Sequence, residues 1–194
     1  MNAIIVTAAA AMLALSATAA TSATFFTDAT PTGALASPGT KSYSFTGPAR
    51  AGSLSFELAG YRTLDGVNCC TDTVDVLLNG TSLLSASYNL GGGGANVVYS
   101  GTPKVTFYTS GSPTVYNGTA TGGLIDITLY GTFAATNTLT FTYSGSGQGL
   151  SDEGWGVNRV SAAIPEPASW LLMIGGLGLV GTAARRRRAV ATTL

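Results

Sequence analysis

Thr73-Val74-Asp75-Val76-Leu77-Leu78-Asn79-Gly80-Thr81-Ser82-Leu83-Leu84-Ser85-Ala86-Ser87-Tyr88 is the stretch that decides the fold class. Val74, Val76 and Leu78 recur at a period of two, Asn79-Gly80 interrupts, and a second apolar run follows. A type I′ turn needs positive φ at both central residues, which Asn-Gly accepts at low cost, so the stretch predicts a β-hairpin. The same alternation returns in Leu54, Phe56 and Leu58, in Ile125, Ile127 and Leu129, and in Leu139, Phe141 and Tyr143. Val105 and Phe107 mark another short strand, and Gly, Asn, Ser or Pro bounds each run. We expect eight or nine strands and no soluble helix. Alternation with one buried face favours an all-β fold, an antiparallel β-sandwich. A jelly roll is the leading topology and an immunoglobulin-like sandwich the alternative.

Composition narrows the chemistry. The chain has 194 residues, of which 45% are hydrophobic and only 9% charged, and it has no histidine. That excludes catalysis through imidazole and His-ligated zinc or haem. Of nine basic residues, four form the run Arg185-Arg186-Arg187-Arg188, so no basic surface for nucleic acid is expected. The central segment 24–163 holds Lys41, Arg50, Arg62, Lys104 and Arg159 against eight carboxylates. It is long enough to build a core of its own.

The two ends read as addresses. Ala3 to Leu15 is apolar apart from Thr7, the length of a signal-peptide h-region and too short to span a bilayer. Ala17-Thr18-Ala19 and Thr21-Ser22-Ala23 are candidate cleavage sites, and we assign 1–23 as a signal peptide for removal by signal peptidase. Near the other end, Ile164-Pro165-Glu166-Pro167 breaks regular structure. The uncharged stretch 168–184 then predicts a transmembrane helix near the lower length limit, with Trp170 at one interface. Arg185 to Arg188 follow and by the positive-inside rule stay cytoplasmic, leaving segment 24–163 outside.

Pro165-Glu166-Pro167, the Gly-containing apolar helix and Arg185-Arg186-Arg187-Arg188 together resemble the PEP-CTERM sorting signal. The resemblance covers about an eighth of the chain and assigns 164–194 to that signal. It implies a bacterial exported protein, held transiently in the inner membrane through its C-terminal helix. An exosortase would process it near Pro-Glu-Pro and deliver it to the cell surface or the extracellular polysaccharide matrix. A permanent single-span anchor is the alternative.

Candidate site residues fall in two stretches. Leu64 to Asp75 brings Asp65, Asn68, Asp72 and Asp75 close in sequence, in a Gly-containing loop entering a strand. Oxygen ligands of this kind suit Ca2+, although the spacing is not an EF-hand; Asx-turn chemistry is the alternative. Cys69 and Cys70 are adjacent, and export makes a strained vicinal disulfide, free thiols or intermolecular bonds the options. Ser151 to Val160 holds Asp152, Glu153, Trp155 and Asn158, candidates for ligand binding. Trp155 offers a platform for a sugar ring, with Tyr61, Tyr88 and Tyr99 as added area, or else it fills the core; packing is the favoured reading.

Tyr61 to Gly66, Asn79-Gly80 and Asp152 to Val160 resemble exported galactose-binding-like or concanavalin-like jelly-roll modules. In the usual ending of those modules an Asp or Asn follows the Trp-Gly, and here Asn158-Arg159 stands in place of Asp-Asn. The residual catalytic option is glycoside hydrolysis by carboxylates drawn from Asp65, Asp152 and Glu153. Adjacent residues of a strand point to opposite faces, which argues against Asp152 and Glu153 as a pair, and no enzymatic activity is expected. The expectation is a surface or matrix protein with a binding or structural sandwich, polysaccharide and Ca2+ being its candidate partners.

Overall fold

The computed structural model describes residues 22–116, 119–145 and 147–166, with 174, 176–178, 180 and 181 beyond them. Alternating residues build ten strands among the described residues: β1 (Ser22–Asp28), β2 (Gly39–Thr46), β3 (Ala51–Arg62), β4 (Thr73–Leu78), β5 (Thr81–Ser87), β6 (Val97–Ser100), β7 (Lys104–Tyr116), β8 (Thr119–Thr132), β9 (Thr136–Ser144) and β10 (Glu153–Pro165). One sheet has the order β1-β10-β3-β8-β7 and the other β2-β9-β4-β5-β6. Every pairing is antiparallel. The expected β-sandwich is what the chain forms.

The hairpin is where the sequence places it. Asn79 and Gly80 both take positive φ, 52° and 79°, and Leu78 pairs with Thr81 across the turn. The inward residues of each strand make one core. Leu54, Phe56 and Leu58 of β3, Val74, Val76 and Leu78 of β4, and Leu139, Phe141 and Tyr143 of β9 are all buried in it. Each such side chain contributes about 1.5–3 kcal/mol by leaving water. Phe56 meets Phe141 edge-on at 4.8 Å between ring centroids, which joins the two sheets at their middle. Phe26 stacks on Phe45 at 4.2 Å, and Phe25 meets Phe133 edge-on at 5.0 Å.

The folded unit runs from Ser22 to Glu166, wider at both ends than the expected 24–163. The reason is pairing: Ser22 lies opposite Pro165, and Ala23 opposite Ile164. The rest of the expected signal peptide lies outside the described residues. So do Pro167, Arg185 to Arg188 and most of the span 168–184. Within that span Ile174, Gly176, Leu177, Gly178, Val180 and Gly181 are described, and all are helical. Among the described residues no helix is long and apolar enough to cross a membrane.

Candidate functional site

The loop between β3 and β4 is paired with a neighbour rich in glycine. Leu64 and Leu90 exchange backbone hydrogen bonds, and the Gly66 N–H donates to the Gly93 carbonyl at 2.8 Å. Gly91, Gly93 and Gly94 take φ of 99°, 121° and 81°, which side-chain-bearing residues rarely adopt. The Asn89 carboxamide oxygen accepts from the N–H groups of Gly91 and Gly93. The stretch 91–94 is thus a paired partner of this loop, with Gly93 bridged to Asp65.

Asp65 and Asp72 are tied to each other. The Asp65 N–H donates to Asp72 Oδ2 at 2.8 Å, and the Asp72 N–H donates to the Asp65 carbonyl at 3.1 Å. The Ser87 hydroxyl also donates to the Asp72 carbonyl. Glu153 opens β10 opposite Arg62, and its N–H donates to the Gly149 carbonyl. That places a third carboxylate beside the first two. Oxygens of Asp65, Asp72 and Glu153 all lie within 4.8 Å of one another, and all three residues are buried.

Crowding like charges away from water disfavours their ionised forms. Burial, then the charges of Asp72, Asp65 and Asp152, pushes Glu153 up to about 7. Burial, reinforced by Asp65, also raises Asp72 against the lowering effect of its backbone hydrogen bond. Tyr143, packed nearby, is raised well above its ordinary value by burial and by the three carboxylates.

The structure brings together only part of the expected calcium set. Asp75 lies on β4 between the inward-facing Val74 and Val76, so its side chain is on the opposite face. Asn68 stands beside the group, its Nδ2 donating to Asp65 Oδ1 at 3.0 Å. Glu153 joins instead, from 81 positions beyond Asp72, where no spacing rule points to it. Cys69 and Cys70 are two thiols with Sγ atoms 2.8 Å apart and no bridge. The Cys70 thiol is pushed up to about 11, first by its hydrogen bond with Cys69.

The expected ligand-binding set does not form a surface. Asp152 is exposed, whereas Glu153, Trp155 and Asn158 are buried. Trp155 stacks on Tyr143, and its Nε1–H donates to the Ala36 carbonyl at 2.9 Å. The sugar-platform alternative for Trp155 is overturned, because its ring faces the core from β10. Tyr61 and Tyr88 are buried as well, which leaves Tyr99 alone exposed of the added platform. Asn158 Nδ2 donates to Glu57 Oε1 at 3.0 Å, and Arg159 pairs with Glu57 and with Asp126. Beside this ion pair, Ser55, Phe56, Asp126, Ile127, Thr128 and Arg159 line a depression of about 230 Å³. Sequence reasoning missed the partnership of Glu57 with Asn158 and Arg159, which lie 101 and 102 positions beyond it.

Residues 163–188 match the PEP-CTERM protein-sorting motif. The chain carries an exosortase sorting signal. The PEP-CTERM signal marks an exported protein processed by an exosortase. Its first three residues, Ala163, Ile164 and Pro165, are also the last three of β10. The signal therefore begins inside the sandwich, without a linker. No curated protein and no solved structure matches the chain. The likeness of its central part to galactose-binding-like or concanavalin-like modules finds no counterpart there.

Proposed function

We propose that this protein is a structural component of the cell surface or extracellular polysaccharide matrix. It is exported by a signal peptide, anchored transiently by segment 168–184, and released near Pro165-Glu166-Pro167. The observation that carries the structural reading is the burial of Trp155, the only tryptophan of the sandwich. An indole committed to the core is not available to stack on a sugar. The hydrolase alternative is weakened by Asp65, Asp72 and Glu153. All three are buried, away from the water that glycoside hydrolysis consumes. The jelly-roll reading of the topology is supported by β1, β2, β3 and β4, which alternate between the two sheets. The anchoring role is supported by Ile174, Leu177 and Val180, each of which exposes about two thirds of its surface.

A second reading, polysaccharide binding, is favoured by Tyr130 and Tyr99, which are 67% and 52% exposed. Binding of the full chain in detergent to a panel of bacterial polysaccharides separates the two. The structural role predicts no saturable binding by the wild-type protein. Saturable binding that Tyr130→Ala abolishes would replace it with the binding role.

A further inference from the structure

The buried carboxylates Asp65, Asp72 and Glu153 lack a counter-charge. Among the described residues, the ion pairs are those of Arg159 with Glu57 and Asp126, and neither involves the three. Their hydrogen bonds are also one-sided. Asp72 Oδ2 accepts from the Asp65 N–H and Glu153 Oε1 from Gln148 Nε2, while Asp72 Oδ1 and Glu153 Oε2 are buried with no donor. A buried carboxylate oxygen without donor or cation is costly, so the arrangement asks for a positive partner.

An independent group points into the same space. Ser37, in the β1–β2 connection, is 5% exposed, and its hydroxyl has no partner. A methyl group placed on Gly145 would collide with Asp72 Oδ1 and come within 3.1 Å of Ser37 Oγ. Both oxygens thus lie on the same side of Gly145, in space that any side chain there would invade. We propose that Asp65, Asp72 and Glu153, with the Ser37 hydroxyl, bind a hard divalent cation of the calcium class. The ion ties the β3–β4 loop to the start of β10, the strand that ends in the sorting signal. Three carboxylates and a hydroxyl are oxygen ligands only, which suits a hard cation rather than zinc. They come from three separate segments in no regular array, which suits Ca2+ better than the strict octahedron of Mg2+.

The test uses the full chain in detergent, stripped with chelator and titrated with CaCl2 or MgCl2. Thermal unfolding and equilibrium dialysis of radioactive calcium are the two readouts. One Ca2+ per chain is expected, half-saturating in the ~0.1–1 mM range of extracellular modules. At about 10 mM it raises Tm by ~4–8 °C. Asp72→Asn and Glu153→Gln abolish both signals, and Asp75→Asn, on the outer face, keeps them. A rise that survives Glu153→Gln would place the ion elsewhere and overturn the assignment. No calcium retained by the wild-type chain would also overturn it, and would leave the carboxylates sharing protons instead. The wild-type stoichiometry decides this even if a variant fails to fold.

Discussion

The indole of Trp155 lies over the phenol ring of Tyr143, with centroids 5.5 Å apart and the planes 19° from parallel. The two come from β10 and β9, so the contact joins one sheet to the other beside the carboxylates. Trp155→Ala removes the largest buried side chain and should cost about 3–5 kcal/mol. Trp155→Phe keeps most of the packing but strands the Ala36 carbonyl, a loss of about 1–3 kcal/mol. Urea unfolding of the three proteins measures both.

Glu57 is a buried charge held by Asn158 and Arg159. Arg159 takes φ of 50° where the β10–β3 register shifts, and this bulge turns its side chain out over Glu57. Asn158→Ala removes a hydrogen bond to a charged group and should destabilise by roughly 1.5–3 kcal/mol. Asn158→Asp should be worse, since it sets a second carboxylate against Glu57. Thermal unfolding at neutral pH ranks the two variants.

The core tyrosines predict an alkaline limit. Burial pushes Tyr88 up to about 12, and burial with the Asp28 charge does the same for Tyr43. Their unfolded value is near 10. An acid raised on folding stabilises the fold below its unfolded pKa, and that stability is lost as pH rises toward the folded value. Stability should therefore fall between about pH 10 and 12. Tyrosinate absorbance should show these phenols ionising near 12 or together with unfolding. Ionisation of every tyrosine near 10 in the folded protein would contradict the packing.

Strand pairing favours one of the two candidate cleavage sites of the expected signal peptide. Cutting after Ala23 removes Ser22 and Ala23, which pair with Pro165 and Ile164; cutting after Ala19 leaves β1 whole. Sequencing of the mature N-terminus should begin Ala20-Thr21-Ser22. A start at Thr24 would show that this end of β1 is dispensable.

Much of this was legible in the residues. Period-two runs located β3, β4, β8 and β9, and Asn79-Gly80 located the hairpin, because those signals are local. β1 begins inside the stretch assigned to the signal peptide, so its pairing with β10 was not legible. The candidate site was half legible. Asp65 and Asp72 stand out within one loop, but Glu153 and Ser37 arrive by tertiary folding. Asp75 looked equivalent to Asp72 until β4 set it on the other face. Trp155 read correctly as packing, since a single tryptophan entering a strand is an efficient filler of a sandwich core.

The sorting signal begins within β10, so its removal should leave a sandwich that ends close to Glu166. The most direct test is the intact mass of the protein recovered from the cell surface and matrix, for the native chain and for Pro165→Ala/Glu166→Ala/Pro167→Ala. The account predicts that the native protein has lost Arg185 to Arg188 and the apolar stretch before them. It predicts that the triple variant stays in the membrane fraction with its C-terminus intact. A native surface protein that still carries Arg185 to Arg188, or normal release of the variant, would contradict it.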